Sequence, residues 1–238
     1  MLLEDETDDI VKQALFAILH NSERLQKLAS DILDIARIES NRLQLDKKLL
    51  NLNSSISNIL KDYGKRQKHH KAMEIIRLAS NVNSGNNDNK NEDTKIMETK
   101  LVFQSKVKEG EDIFVEADEE RLTQVMENIL DNAFKFSYAN GNVTVTLEKQ
   151  GTQRQGQGQQ HAIINIKDTG TGIDPEISPR LFSKFATKSH KGTGLGLYIS
   201  KNIVDAHGGK LHAINNPDGK GATFTITLPL LTNNKKRE

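Results

Sequence analysis

The chain is 238 residues long, with 35% hydrophobic residues and a formal net charge of +1, enough for one or two domains and too evenly charged for a general nucleic-acid field. It has no cysteine, which excludes disulfides and thiolate metal sites. No apolar run is long enough to cross a bilayer and no secretory signal pattern opens it, so the chain reads as cytoplasmic, with no membrane contact.

The first element in chain order is a helix. Leu15, Ile18, Leu25, Leu28, Ala29, Ile32, Ile35 and Ala36 keep a helical apolar stripe. Such a stripe belongs to a helix in a bundle or coiled coil, or to one packed on its own domain. This helical segment is expected to run to about Leu49. The basic run Lys65-Arg-Gln-Lys-His-His-Lys71 reads as a solvated, loop-like face. The Asn-rich stretch at 81–93 has little to bury and reads as disordered, within a polar insertion at 81–99. Alternating patterns predict strands over 100–106, 112–116, 142–147, 163–167, 210–215 and 223–228. The Gln- and Gly-rich residues 150–160 read as a long hairpin connection, which costs little chain entropy. Residues 233–238 read as a solvated basic tail.

Three segments carry the chemistry. In Asn128-Ile-Leu-Asp-Asn132-Ala-Phe-Lys135, helical spacing puts Asn128, Asn132 and Lys135 within roughly 60° of one another. Leu122, Val125, Met126, Ile129, Ala133 and Phe136 fill the remaining circumference. Two amides and an ammonium suit a magnesium ion, which takes oxygen ligands, and a phosphate; a solvated helix face has the same pattern. Asp168-Thr-Gly170-Thr-Gly172 follows the strand at 163–167. A carboxylate there can accept from an exocyclic amine such as that of adenine, and the glycines let the backbone approach a flat base. An ordinary Asp-x-Gly turn fits this segment too. Gly192-Thr-Gly194-Leu-Gly196-Leu enters a helical pattern closed by Gly208 and Gly209, and bare N–H groups at a helix start attract anions. Each segment alone is weak, but the three in this order supply the parts needed to hold ATP.

Together these segments resemble the N, G1 and G2 boxes of the GHKL ATP-binding fold, found in sensor histidine kinases, type II topoisomerases, mismatch-repair ATPases and a heat-shock chaperone. Leu181-Phe182-Ser-Lys-Phe185-Ala-Thr-Lys188 resembles the F box of the histidine kinases. The resemblance spans about 101–230. It implies an α+β fold in which an N-terminal dimerisation helix, the second of a hairpin, occupies 1–50. A two-layer sandwich follows at 51–232, a mixed sheet with helices on one face. ATP and magnesium are the implied cofactors. Asn132 matches the metal ligand and Asn128 its companion one turn earlier, while Lys135 matches a phosphate contact; Asn128 and Lys135 are the implied catalytic pair. Asp168 matches the adenine-reading carboxylate, and Gly170, Gly172, Gly192, Gly194 and Gly196 match the nucleotide-binding glycines. Ile173, Phe182, Phe185, Lys188, Thr193, Leu195 and Leu197 complete the implied nucleotide-binding set, with Thr223 on the terminal strand near the adenine. A lid spans 177–192, punctuated at its entry by Pro175 and Pro179 and packed down by Phe182 and Phe185.

Hydrolysing relatives place a glutamate four residues before the magnesium asparagine, as general base for water. This chain has Asn128 there, and an amide is a poor proton acceptor, so the site suits handing the γ-phosphoryl to another nucleophile. Glu127 lies about 100° around the helix and is not expected to substitute. Residues 34–40 also resemble the end of the second dimerisation helix of histidine kinases. The implied partners are a second copy, or a related kinase chain, as a dimer through the N-terminal helix, and the receiver domain of a response regulator.

The family's phosphoacceptor motif, His-Glu/Asp-x-x-x-Pro, is not found. His20 precedes Asn21-Ser-Glu-Arg-Leu25, and His69, His70, His161, His190, His207 and His212 fit no better. The sequence therefore reads as a truncated kinase or as a half that works with another chain. A non-catalytic, ATP-responsive dimerisation module and a hydrolysing ATPase stay as alternatives.

Overall fold

A computed structural model describes residues 2–82, 99–108, 111–151, 160–188 and 192–231. Helix α1, Leu2–Glu39, stops where Asn41 turns into the left-handed region at φ 53. Asn tolerates that region, and here Asn41 N and Arg42 N donate to the carbonyls of Ile38 and Arg37, satisfying the helix end. Much of the predicted stripe stays uncovered within one chain: Leu15, Ile18, Leu25 and Ile32 are exposed. The face that docks is mixed, with Ile35 and Ile38 packed against the core beside buried Asp31 and Asp34. Asp34, 2% exposed, accepts from Arg121 at 2.8 Å and from Gln124 at 2.7 Å.

Strand β1, Lys48–Asn51, and helix α2, Leu52–Val82, depart from the sequence expectation. β1 pairs antiparallel with β3, Phe114–Ala117, placing Leu49 opposite Glu116 in a strand instead of at the end of a helix. The run at 65–71 is helical and not loop-like. Its signal lay upstream, where Leu52, Ile56, Ile59, Leu60 and Tyr63 recur at helical spacing and are buried; the basic run continues that helix. Residues 81 and 82 close α2, so the polar insertion begins inside a helix, while 83–98 lie outside the described residues.

The main sheet has the order β2-β4-β5-β7-β6. Its strands are β2, Lys100–Ser105; β4, Asn142–Gln150; β5, His161–Asp168; β6, Lys210–Asn215; and β7, Ala222–Pro229. β2 runs parallel to β4 and the other pairs are antiparallel, so the sheet is mixed, as expected. Gln150 faces His161 across the β4–β5 hairpin, whose connecting residues 152–159 lie outside the described set, as do 189–191 and the tail at 232–238. Val143, Val145, Leu147, Ile164, Ile166, Phe224 and Ile226 alternate onto one buried face. Against it pack α3, Glu119–Phe136, through Leu122, Met126 and Ile129, and α4, Gly196–Ala206, through Ile199 and Ile203. On the other face Asn165 bonds Thr146 and Thr225, a polar row. The result is the expected two-layer α+β architecture.

His207 joins two of these elements. Its Nδ1 lies 2.8 Å from the Ile203 carbonyl, and Nε2 accepts from the Asp118 N–H at 3.0 Å, which requires the neutral tautomer. Burial pushes the imidazole below its ordinary value, and Lys47 acts the same way against the Ile203 carbonyl and the Asp118 carboxylate. The unfolded chain thus takes up a proton that the folded one declines. This stability is complete above 6.5 and is lost as pH falls through that value toward the folded pKa. Between about pH 7.5 and 5.5, the urea midpoint is expected to fall further for the native protein than for His207→Gln. Equal declines would remove His207 as the cause.

Candidate functional site

Helix α3 begins under an Asp118 cap, whose carboxylate accepts from Arg121 N, with Glu119 and Glu120 in the first turn, where acidic residues complement the helix dipole. Its far half forms one wall of a cavity of about 580 Å3, within the range of small-molecule sites. Asn128, Asn132, Lys135, Asp168, Gly172, Ile173, Lys188, Gly192, Thr193, Gly194, Gly196 and Leu197 all line it. Three segments far apart in sequence therefore face one space.

Asn128 is nearly buried, its amide nitrogen 3.4 Å from both the Gly196 carbonyl and Ser200 Oγ, so it ties α3 to the start of α4. Asn132 donates from Nδ2 to the Asn128 carbonyl at 2.9 Å. That bond commits the donor end of the amide, and the carbonyl end is a suitable oxygen ligand for a hard cation. Among the described residues no group of three or more His, Asp or Glu could hold a metal by itself. An ion held by one amide oxygen together with phosphates and water is the mode magnesium favours.

Asp168 sits at the end of β5, 3% exposed. Its Oδ1 accepts from Gly170 N at 2.9 Å and Ala222 N at 3.2 Å, and its carbonyl accepts from Asn216 Nδ2 at 2.9 Å. Burial pushes its carboxyl up, opposed by the backbone N–H groups. A carboxylate retains acceptor capacity beyond these two bonds. Thr223 does not line the cavity; its hydroxyl donates to Asn216 Oδ1 at 2.6 Å and so supports Asp168 from behind. Asn216 was not singled out from the sequence, and only its spatial neighbours give it away.

At the start of α4, no side chain caps the helix. Its first-turn amides therefore suit an anion. Gly194 adopts φ +69, and a Cβ there would lie 2.6 Å from the Phe185 backbone, so this loop and the lid are in direct contact. The lid contains a 3-10 turn at Ser178–Arg180. Phe182 packs against the core but, like Phe185, does not line the cavity; Phe185 is 68% exposed at φ 62. Its backbone, not its ring, supports Gly194. Lys188 pairs with Asp174 and Glu176, each at 2.6 Å. Those carboxylates push its ammonium pKa up. Gly170 and Leu195 also stand back from the cavity. Leu195 belongs to the core, and Gly170 lies against the end of α3.

Several lining residues went unforeseen, Asp174, Ala222 and Phe224 among them, and two cases are instructive. Asp131 is one, although it stands at helical spacing from Asn128 and Lys135 and the same periodicity could have found it. Arg24, Lys27, Leu28 and Asp31 of α1 form the other, and nothing local signals them. Glu127 does not line the cavity and instead pairs with Arg66 of α2. His161, His207 and His212 are absent from the lining, and His190 is outside the described residues.

Residues 117–232 match the family described as histidine kinase-, DNA gyrase B-, and HSP90-like ATPase. This region belongs to that ATPase family. The matched span holds every cavity segment except the contribution of α1. The chain is 28% identical over 230 residues to the sensor histidine kinase WalK of Bacillus subtilis, covering 94% of this chain and 31% of that protein. It is 31% identical over 239 residues to hybrid signal transduction histidine kinase D of Dictyostelium discoideum, covering 98% of this chain and 13% of that protein. The chain thus spans a third or less of the length of these relatives. Among solved structures, the catalytic domain of histidine kinase ThkA superposes with a TM-score of 0.55 at 25% identity, over 78% of this chain and 96% of that one. The chain therefore carries the ATP-binding catalytic region of a histidine kinase, built on the GHKL ATPase fold. Among the described residues, no helix is long and apolar enough to cross a membrane.

Proposed function

We propose that this chain transfers the γ-phosphoryl of magnesium-bound ATP to a histidine, for onward relay to an aspartate of a response-regulator receiver domain. The observation that carries the reading is the gathering of Asp168, Asn132, Lys135 and the uncapped start of α4 around one cavity. In the proposed complex Asp168 accepts from the adenine amine and Asn132 supplies one oxygen to magnesium. Lys135 and the α4 amides take the phosphate tail. Bound magnesium supplies charge neutralisation on the phosphate oxygens. Asn128 occupies the position of the hydrolytic base and is turned toward Gly196 and Ser200, and Glu127 is engaged by Arg66. Neither is placed to activate water, which favours transfer to a nitrogen nucleophile over hydrolysis.

The acceptor histidine is taken to come from another helix, presented by a dimer. The uncovered stripe of α1 supports pairing with a second copy or a related kinase chain, in a helical bundle. We assign α1 to this dimerisation part and the chain from β1 onward to the ATP-binding part.

Incubation with γ-labelled ATP, alone and with a chain supplying a histidine-bearing dimerisation helix, tests the reading. Acid-labile, base-stable label is expected on the histidine-bearing partner, with none after Asn132→Ala. Sedimentation of the same preparations is expected to give dimers. Steady release of free phosphate with no adduct in either mixture would establish a hydrolase instead.

A further inference from the structure

Helix α1 contributes a wall to the nucleotide cavity, and the contact it makes there is ionic. Lys27 Nζ lies 2.7 Å from Asp131 Oδ2, and both side chains line the cavity beside Asn132 and Lys135. The other oxygen of Asp131 accepts from the Tyr63 hydroxyl of α2 at 3.0 Å, and that hydroxyl in turn accepts from Gln67 Nε2 at 3.0 Å. Burial and the neighbouring Asp131 carboxylate both push the Tyr63 phenol up, so it remains a donor. Asp131 is thus a carboxylate fixed in place on the cavity wall, next to the Asn132 and Lys135 to which the proposed function assigns the magnesium and phosphate. Like charges at a few ångströms in a partly solvated site cost on the order of 1 kcal/mol or more.

We propose that Lys27 is the counter-charge for Asp131, so that the seat of α1 on α3 sets the affinity of the cavity for polyphosphate. The inference rests on the ATP-binding reading above. With Lys27 in place the Asp131 charge is paired, and Lys27 also faces Asp31 on its own helix; with α1 displaced, the bare Asp131 carboxylate repels the ligand. On α3 the seat includes Asp34 with Arg121 and Gln124, about two turns further along α1, and Ile35, Ile38 and the Glu39–Lys184 pair add to it. Lys27 and Asp34 are separated by rigid helix, so any movement that breaks the second contact also withdraws the first. Lys27 acts through Asp131 and is a positioning residue, not a catalytic one.

The test is calorimetry of the full chain with magnesium-ATP and, separately, with adenosine, which carries no phosphate. Lys27→Ala is expected to weaken ATP about fivefold while leaving adenosine unchanged. The loss should shrink toward nothing at about 1 M salt. Lys27→Arg should hold the native affinity. Asp131→Asn should bind ATP at least as well as the native protein, and in that background Lys27→Ala should have no further effect. Both side chains are about half exposed, 53% and 45%, so the variants are expected to fold; circular dichroism checks this. An ATP-to-adenosine affinity ratio unmoved by Lys27→Ala overturns the proposal. So does a loss that persists in full in the Asp131→Asn background, which would assign Lys27 directly to the phosphate. In both of these outcomes the native protein still binds ATP and the functional reading stands, whereas no binding of ATP by the native protein overturns both.

Discussion

Asp168→Asn is expected to weaken ATP binding about ten- to a hundredfold while leaving the fold intact. Gly170 N and Ala222 N both donate to Oδ1, and an asparagine carbonyl oxygen can serve both. The amide nitrogen then occupies the other corner, a donor confronting the adenine amine, which is also a donor. A purine with a carbonyl at that position accepts from the amide, so inosine triphosphate should gain on ATP in the variant. Calorimetry with the two nucleotides reads this directly, and unchanged ATP affinity would remove Asp168 from base recognition. The same carboxylate gives the site an acid limb. Burial raises the folded pKa above 3.8, so the protonated form is the one the fold favours, complete below 3.8 and lost as pH rises through the folded value. The ionised carboxylate is therefore held at a cost that the ligand amine offsets. ATP binding should accordingly fall on acidification at a higher pH than an ordinary carboxylate would produce.

Gly170→Ala is expected to be among the most damaging glycine-to-alanine changes at the described residues. A Cβ at that position would lie 2.0 Å from the Phe136 carbonyl oxygen and 2.5 Å from its carbon, both backbone atoms at the end of α3. Ser137 and Gly170 form an isolated bridge there, and Thr171 N donates to the Phe136 carbonyl at 3.1 Å. The loop therefore has to leave α3, carrying Asp168 and Gly172 with it. A loss of about 3 kcal/mol or more is expected, with Tm lower by roughly 6 to 12 °C. Gly64→Ala is the control. It is helical with nothing within 4 Å of an added Cβ, so it should raise stability by up to about 1 kcal/mol. Thermal unfolding of both variants decides the matter, and a Gly170→Ala protein as stable as the native one would show that the α3 contact can yield.

The two glycines differ in how far a sequence can speak for them. Gly170 stands out in Asp168-Thr-Gly170-Thr-Gly172 as a residue letting backbone come close to something. The something is the end of α3, not the nucleotide space, and no local pattern distinguishes these. The strands at 100–106, 142–147, 163–167, 210–215 and 223–228 were legible because alternation is written into each window of sequence, and their observed bounds differ by at most three residues at either end. β1 was not, because its four residues carry too short a pattern and its reason for being extended is β3, far along the chain. Helix α2 was readable from Leu52, Ile56, Ile59, Leu60 and Tyr63, but the polar run after them masked it. Phe185 misled for a related reason: an aromatic suggests packing, whereas here its left-handed backbone supports Gly194 and its ring faces solvent.

From its own order of residues the protein determined the sheet, the polar stripe of α3, the carboxylate closing β5 and the glycine entry to α4, because each is a spacing within one turn, one strand or one loop. Tertiary structure alone decided that Lys27 would meet Asp131 across 104 residues and that Glu39 would meet Lys184 across 145. It also decided that Glu127 would turn toward Arg66 and that a helix outside the ATPase region would close one side of its cavity. Periodicity says which way a side chain points from its own element, while the neighbour it finds there is set by how whole elements pack.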